Sequence, residues 1–297
     1  MLKGILPVYK EKGYTSFDVV AKLRGILKTR KIGHTGTLDP DAEGVLPVCV
    51  GAATKLVELL TDHPKEYEAK MLFGIATDTQ DVSGNIIKTG FLSCSSEEVK
   101  ETILSFSGSY DQMPPMYSAL KVGGKKLYEL AREGKTVERK TRRVIVYSID
   151  ILNTDLSAEE PAAYIRVRCS KGTYIRTLIN DIGEMLGCGA CMKSLLRTEA
   201  AGFALNDCMR LDEIERRVND SGAESLLISP ESVFKEYPGV NVTSEADILL
   251  CNGNALVKGS FTEDPPAEGL VRVYYSNGDF KAVYESYEDY YKVRYMF

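Results

Sequence analysis

Apolar residues spaced three and four positions apart predict helices along the first three quarters of the chain. Three segments share this spacing: 16–27, 95–106 and 175–186. Ser16 is predicted to cap the first of these helices, and Ser95 with Glu98 forms a capping box for the second. Gly187 is expected to end the third helix. A shorter helix is predicted at 126–133, where Gly134 follows.

Alternating apolar and polar residues, or short apolar runs, predict strands in the segments between these helices. The predicted strands are 45–50, 67–73, 143–152, 163–170, 270–275, 280–284 and 290–295. Residues 33–47 contain so many glycines and prolines that they are predicted to form a loop. Separate helices among hairpin-like strands indicate an α+β fold.

The pattern changes near residues 237–240, where helical spacing stops. Turns are predicted at Asn252-Gly253 and Asn277-Gly278, and the second is typical of a β-hairpin. A chain of 297 residues is also long for one hydrophobic core. We therefore predict a large domain at 1–237 and a small β domain at 238–297.

Charge is distributed unevenly along this acidic chain, whose net charge is −5 and whose pI is about 5.4. Residues 116–145 carry nine Lys/Arg and three Glu, a balance of +6, and residues 19–38 carry five Lys/Arg and no acid. Local basic surfaces of this kind are typical of selective binding to a polyanion. The alternative is an ordinary solvated face, and the pattern alone does not decide between them.

Cysteine usage and hydropathy predict a cytoplasmic protein. The seven cysteines are an odd number spread along the chain, which is not typical of a disulfide framework. Cys188 and Cys191 form a CxxC pair, but His34 and His63 lie far from it in sequence, so no metal site is predicted. No apolar run reaches the length of a membrane span, and residues 1–10 lack the features of a secretion signal.

Asp39 is the carboxylate that the sequence marks most clearly for chemistry. It lies in the loop GHTGTLDPDAEGVLPV, residues 33–48, and Pro40 favours an extended backbone at Asp39. An acid in such an irregular loop can project into a cleft. The alternative is a carboxylate that only caps a turn, and Asp41 and Glu43 compete for any catalytic role.

Other side chains support either a structural or a functional interpretation. His34 could stack on a base or could simply be structural, and Tyr67 would by default be a core aromatic. Tyr174 and Arg176 lie at the start of a predicted helix, where an anion is favoured, but Arg176 could also form an ordinary surface ion pair. With no phosphate-binding loop, dinucleotide fingerprint or metal-ligand cluster in the sequence, the local patterns leave chemistry without a cofactor, or no chemistry.

Taken in order, these segments resemble the TruB-type tRNA pseudouridine synthases over nearly the whole chain. The most specific block is GHTGTLDPDAEGVLPV, which is similar to the central motif of that family. Four further segments carry the resemblance: MYSALKVGGKKLYELAREG at 116–134, KGTYIRTLINDIGEMLGCGA at 171–190, LLRTEAAGF at 195–203 and the tail 240–297. The family usually has a proline after Lys10, where this chain has Glu11, which puts the local geometry of the active-site loop in question.

The resemblance implies a fold and an activity. The fold would be a mixed, largely antiparallel sheet with flanking helices, an RNA-binding insertion at about 111–143 and a PUA-like barrel at 238–297. The activity would be isomerisation of uridine 55 in the TΨC arm of tRNA by a monomer that needs no cofactor and no obligate protein partner. Because the target uridine lies inside a folded loop, it must be flipped out before it can react.

The resemblance also implies roles for individual residues. Asp39 would be the nucleophile, Arg176 its ion-pair partner and Tyr67 the ring that packs on the uracil. The implied substrate-binding residues are His34, Tyr174, Leu195, Lys10, Lys125, Lys126, Arg142 and Arg143. Attack at C1′, attack at C6 and a glycal route all remain open. A non-catalytic protein that binds or folds tRNA on the same scaffold is the alternative function.

Overall fold

The computed structural model describes residues 2–297. Its helices are α1 (Ser16–Ile26), α2 (Val57–Thr61), α3 (Ser96–Ser105), α4 (Leu127–Arg132), α5 (Ile175–Met185), α6 (Leu211–Ser221) and α7 (Asp247–Asn252). The strands before residue 130 are β1 (Gly4–Lys10), β2 (Ile32–His34), β3 (Glu43–Val50), β4 (Lys65–Phe73), β5 (Ile75–Thr77), β6 (Ile86–Thr89), β7 (Gly108–Gln112), β8 (Lys121–Val122) and β9 (Lys125–Lys126). The later strands are β10 (Arg142–Asp155), β11 (Ala162–Cys169), β12 (Ala190–Ala200), β13 (Phe203–Ala204), β14 (Gly239–Asn241), β15 (Leu270–Tyr274), β16 (Phe280–Ser286) and β17 (Tyr291–Met296).

A nine-stranded mixed sheet forms the centre of the larger unit. Its main path runs β1-β3-β12-β4-β11-β10-β7, with β2 paired to β3 and β13 paired to β12. Every pairing in it is antiparallel except the short parallel contact between β12 and β3. The predicted α+β class, with a largely antiparallel sheet and flanking helices, is confirmed.

The parallel contact between β3 and β12 brings two distant parts of the chain together. Leu196 pairs with Glu43, and Arg197 pairs with Gly44, at the start of β3. On its other side β12 pairs with β4, where Arg197 lies opposite Tyr67. The start of β3, the middle of β12 and Tyr67 therefore meet at one place, immediately after the loop that carries Asp39.

Two local predictions near α1 need correction. Thr15, not Ser16, caps the helix, because the Thr15 hydroxyl accepts from the Asp18 amide while Asp18 accepts from the Thr15 amide. Ser16 is the first helical residue and is buried. The predicted loop at 33–47 is also shorter than expected, since β2 extends to His34 and β3 begins at Glu43.

The C-terminal segment forms a separate four-stranded sheet in the order β14-β15-β16-β17. The Asn277-Gly278 turn joins β15 to β16 as predicted. Bridges from Leu256 to Tyr291 and from Phe261 to Val242 connect the segment 256–261 with the two edges of this sheet, at β17 and just after β14. The prediction that helices stop before this segment is wrong, because it contains α7. The turn predicted at Asn252-Gly253 is the end of that helix, with Gly253 in the left-handed conformation.

Candidate active site

A cavity of about 320 Å³ opens beside the loop between β2 and β3. Five residues that the sequence singled out line it together: Asp39, Tyr67, Tyr174, Arg176 and Leu195. They come from the loop, from β4, from the start of α5 and from β12. Residues from widely separated parts of the chain therefore line one pocket, and one of them, Asp39, is a carboxylate.

Asp39 is bound in a two-pronged ion pair. Arg176 donates from Nε to Asp39 Oδ2 at 2.9 Å and from Nη2 to Asp39 Oδ1 at 3.2 Å. Planar guanidinium–carboxylate pairs of this kind fix direction as well as charge. The Arg176 side chain is only 7% exposed, whereas that of Asp39 is 39% exposed and faces the pocket.

The remaining donors of Arg176 are also used. Nη1 donates to the carbonyl of Thr79 at 3.0 Å, and Nη2 donates to the carbonyl of Tyr117 at 2.9 Å. Asp81, which the sequence analysis missed, lies 3.7 Å from Nη1. Because protein oxygens surround the guanidinium, it has little freedom to leave Asp39.

Opposing influences set the ionisation of Asp39. Burial in the protein raises the pKa of the carboxyl above its ordinary value, and the Asp81 carboxylate raises it further. Arg176 and Lys10 lower the pKa through their positive charges, but burial is the largest influence. Arg176 therefore favours the carboxylate of Asp39 without fully offsetting the cost of removing it from water.

Lys10 and Ser16 hold the loop that carries Asp39 through hydrogen bonds to its backbone. Lys10 is fully buried, and its ammonium donates to the carbonyls of Ala42 at 2.6 Å, Pro40 at 3.1 Å and Glu11 at 3.2 Å. Burial lowers the pKa of Lys10 to about 8. Ser16 Oγ accepts from the Leu38 amide at 2.9 Å, one residue before Asp39. Lys10 has no exposed surface with which to touch a substrate, so its geometry fits a supporting role.

Glu11, the residue after Lys10, belongs to a polar network. Its carboxylate forms an ion pair with Arg210, whose guanidinium lies 4.9 Å from the centre of the Tyr9 ring. The Tyr9 hydroxyl donates to Glu43 at 3.3 Å, at the start of β3. A polar network therefore surrounds the segment after Lys10, and Lys10 still reaches the loop.

Arg197 is a buried residue of this site that the sequence analysis did not single out. It is 1% exposed, and it donates from Nε to the carbonyl of Val45 at 2.7 Å and from Nη2 to the carbonyl of Gly36 at 3.1 Å. Burial raises the pKa of Tyr67, and the positive charge of Arg197 lowers it by less. The Tyr67 phenol therefore stays protonated near neutral pH. The only sign of Arg197 in the sequence was a cation directly after the apolar pair Leu195-Leu196.

The other predicted residues lie at different distances from the pocket. His34 is half-buried, and its Nδ1 accepts from the Gly36 amide at 3.3 Å, so it lies beside the loop without lining the pocket. Burial lowers the pKa of His34, which favours neutral imidazole. The Tyr174 backbone is held by Gln112 through two hydrogen bonds of 2.8 and 3.0 Å.

The basic insertion lies at the rim of the pocket. Its segment Ser118-Ala119-Leu120 lines the cavity, and the Tyr117 carbonyl binds Arg176. The Ser118 hydroxyl is buried and has no hydrogen-bond partner among residues 2–297. The predicted RNA-binding cations Lys125, Lys126, Arg142 and Arg143 lie outside the cavity; Lys126 is half-buried and the other three are exposed. The insertion thus connects a basic surface directly to Arg176, the partner of Asp39.

Residues 2–297 contain neither a cluster of metal ligands nor a membrane-spanning helix. No group of three or more His, Cys, Asp or Glu side chains is placed to hold a metal ion there. Cys188 and Cys191 are both buried as free thiols, and burial raises the pKa of each. No helix in this part of the chain has the length and apolar character that crossing a membrane requires.

Comparison with known families assigns the chain. Residues 24–175 match the model described as "TruB family pseudouridylate synthase (N terminal domain)", and residues 176–230 match "tRNA pseudouridylate synthase B C-terminal domain". A protein of Lachnoclostridium phytofermentans named tRNA pseudouridine synthase B is 52% identical, with 96% of this chain and 95% of the relative covered. A protein of the same name from Halalkalibacterium halodurans is 42% identical, with coverage of 96% and 93%.

Solved structures give the same fold. A chain in "Crystal Structure of a Cbf5-Nop10-Gar1 Complex" superposes with a TM-score of 0.70 at 25% identity, covering 99% of this chain and 84% of that one. A chain in "Structure of H/ACA RNP bound to a substrate RNA containing 2'-deoxyuridine" has the same TM-score at 23% identity, with the same coverage. Fold and family together define an isomerase of the pseudouridine synthase class. Within that class, this chain belongs to the TruB family.

Proposed function

We propose that this protein converts uridine 55 in the TΨC arm of tRNA to pseudouridine, with Asp39 as the catalytic nucleophile. One observation supports the proposal most directly: the Asp39 carboxylate faces a cavity while Arg176 donates a hydrogen bond to each of its oxygens. The names of the relatives, tRNA pseudouridine synthase B, support tRNA as the substrate.

The pocket favours a flipped-out uridine. Tyr67 and Leu195 provide apolar surface for the base, while Asp39 and Arg176 provide charge on one side. Such a pocket cannot reach a base that remains stacked inside a folded RNA loop, so the base must leave the stack first. His34, beside the loop, is suited to fill part of the space that the base vacates.

The reaction moves one bond of the nucleoside. The bond from C1′ to N1 breaks, the bond from C1′ to C5 forms, and the hydrogen at C5 is lost while N1 gains one. A carboxylate nucleophile divides this exchange into easier steps, whether Asp39 attacks C1′ or C6, and a glycal route uses the same group. Because Tyr67 stays protonated near neutral pH, its phenol is better suited to packing on uracil than to accepting the C5 proton.

Replacing Asp39 tests the proposal. Asp39→Asn keeps the size of the side chain and removes its charge, so tRNA should bind as well as to the parent or slightly better. Turnover should fall by on the order of 10³-fold or more, as expected when a nucleophile is removed. The assay is release of tritium from tRNA labelled at C5 of uridine, with no metal or cofactor added.

Neighbouring carboxylates serve as controls for this substitution. Asp41→Asn and Glu43→Gln should keep most of the activity, because Asp41 is exposed and Glu43 is engaged by Tyr9. Near-parental tritium release by Asp39→Asn would refute the role of Asp39. If the parent protein bound tRNA tightly and released no tritium, the alternative of a non-catalytic tRNA-binding protein would be favoured.

A further inference from the structure

Outside the pocket, α1 presents an aromatic ring that contributes little to the core. Phe17 is 65% exposed, although it directly follows the buried Ser16 in the helix. We propose that Phe17 and Arg24 form a platform on which an unpaired base of the RNA substrate stacks, beside the pocket that receives the flipped uridine. This inference rests on the proposed RNA substrate and adds a second contact site to it.

The position of Phe17 relative to the pocket comes from its neighbour. Ser16 Oγ binds both the amide and the carbonyl of Leu38, and Leu38 and Asp39 line the cavity. Consecutive Cα atoms are about 3.8 Å apart. The Cα atom of Phe17 therefore lies about 3.8 Å from that of Ser16, the residue that holds the loop carrying Asp39. An RNA strand that delivers its uridine to Asp39 therefore passes close to α1.

Arg24 gives the platform its charge. Residues 17 and 24 are seven positions apart, which places them on the same face of the helix. The Arg24 guanidinium carbon lies 5.9 Å from the centre of the Phe17 ring. A ring flanked by a guanidinium suits a nucleotide, because the base can stack while the cation pairs with a phosphate.

The surrounding charges favour RNA over an acidic or neutral partner. Residues 19–38 carry five Lys/Arg and no acid. Asp18, the residue after Phe17, is engaged in the capping box with Thr15. On the other side of the helix, the Lys22 ammonium donates to the Tyr14 hydroxyl at 2.6 Å. This hydrogen bond raises the pKa of Lys22, and the charges of Glu215 and Glu11 raise it further. The Phe17–Arg24 side is therefore the part of α1 best suited to a polyanion.

Stacking on Phe17 would also offset a cost of the reaction. Flipping a uridine out of a folded loop removes the stacking that it shared with its neighbours, at a cost of a few kcal/mol. Base–aromatic stacking contributes about 1–3 kcal/mol per base and tolerates any base identity. A platform beside the pocket can thus hold the nucleotide next to the target in an open loop.

The test compares Phe17 with another exposed phenylalanine. Phe17→Ala should weaken binding of an unmodified tRNA transcript by roughly 5- to 150-fold, the range given by loss of one base stack. Phe17→Tyr and Phe17→Trp should bind like the parent, whereas Phe17→Leu, apolar but not flat, should weaken binding like Phe17→Ala. Phe91→Ala is the matched control, since Phe91 is 87% exposed and its ring has no cation over it among residues 2–297.

Two further measurements separate stacking from other effects. The melting temperature of Phe17→Ala should match that of the parent, because the ring is largely outside the core. In single-turnover tritium release, the tRNA concentration giving half the maximal rate should rise, while the rate at saturating tRNA stays within a few-fold. A 2-aminopurine beside the target uridine should lose fluorescence on binding to the parent and lose less on binding to Phe17→Ala.

The outcomes distinguish this inference from the proposed function. If the parent releases tritium and Phe17→Ala binds tRNA as Phe91→Ala does, the platform is wrong and the proposed activity stands. If the parent releases no tritium but Phe17→Ala still binds tRNA more weakly, the platform stands and the proposed activity is wrong. Equal quenching of 2-aminopurine by parent and Phe17→Ala would also overturn the stacking.

Discussion

At the scale of single residues, the site depends on competition between burial and charge at Asp39. Burial raises the pKa of this carboxyl, Arg176 lowers it and Asp81 raises it. A nucleophile must be ionised, so the activity should fall at acidic pH as Asp39 becomes protonated. The acidic limb of the pH–rate profile should therefore lie above the ordinary pKa of an aspartate, which is about 3.9.

Neighbouring substitutions should move this limb in opposite directions. Arg176→Gln removes the charge that lowers the pKa of Asp39, so half-maximal activity should shift to higher pH, besides a large loss of rate. Asp81→Asn removes a charge that raises this pKa, so half-maximal activity should shift to lower pH. Single-turnover tritium release between about pH 4 and 8 measures both shifts. Two shifts of the same sign would contradict the assigned electrostatics.

Sequence patterns identified some residues of the pocket and missed others for a physical reason. Asp39, Tyr67 and Arg176 lie in segments whose resemblance to a family could be recognised as blocks. Arg197 is a buried cation whose partners are the backbone carbonyls of Val45 and Gly36, more than 150 residues away in the chain. Such pairings depend on the meeting of distant strands, so no local spacing predicts them.

At the scale of secondary-structure elements, the loop that carries Asp39 is held by parts of three elements. Lys10 ends β1, Ser16 begins α1, and Arg197 lies in β12. The predicted strands match β3, β4, β10, β11 and β15 to β17, where alternation or an apolar run reflects burial. β1 and β12, which carry Lys10 and Arg197, were not predicted. The choice between Thr15 and Ser16 as N-cap could not be made from sequence, because adjacent hydroxyls have the same local capping chemistry.

The insertion should bind the RNA backbone through its cations. Changing Lys125, Lys126, Arg142 and Arg143 to Ala should weaken tRNA binding broadly, and the slope of log affinity against log salt should fall by up to roughly one unit per lost phosphate contact. Lys125 should contribute least, because it already pairs with Glu133 at 3.3 Å. Binding titrations at several salt concentrations measure both effects.

Two other exposed cations provide the control for the insertion. Lys193 and Arg217 are already paired with Glu160 and Glu213, each at 2.6 Å. Changing both to Ala should alter tRNA binding little, since their charges are largely neutralised. An unchanged affinity and salt slope in the fourfold variant would show that the basic insertion is only a solvated face.

At the scale of the whole molecule, the C-terminal segment is joined to the larger unit through an apolar cluster. Ile5 and Cys49 from the larger unit share this cluster with Phe234, Val283 and Phe297. Residues 238–297 were predicted from sequence as a domain because helical patterns faded there, but α7 is too short to produce a clear period. The extent of contact between the two units depends on side chains far apart in sequence, so patterns could not predict it.

Because of this shared cluster, residues 1–237 should not be as stable alone as in the full chain. Deleting 238–297 removes Val283 and Phe297 from the cluster, which exposes Ile5, Cys49 and Phe234 to water. Each Å² of apolar surface exposed lowers the free energy of unfolding by about 25 cal/mol. The truncated protein should therefore melt at a lower temperature and bind more of a hydrophobic dye than the full chain.

A point substitution separates the loss of packing from the loss of the whole segment. Phe297 is 7% exposed and stacks on Phe280 with ring centres 5.7 Å apart. Phe297→Ala should lower the free energy of unfolding by about 3–5 kcal/mol, the usual cost of removing a buried phenylalanine ring. Val257→Ala, on an exposed side chain of the same segment, is the control and should change stability little. If the truncated chain and Phe297→Ala both melted like the parent, the two units would be energetically independent, and the prediction of one coupled structure would be wrong.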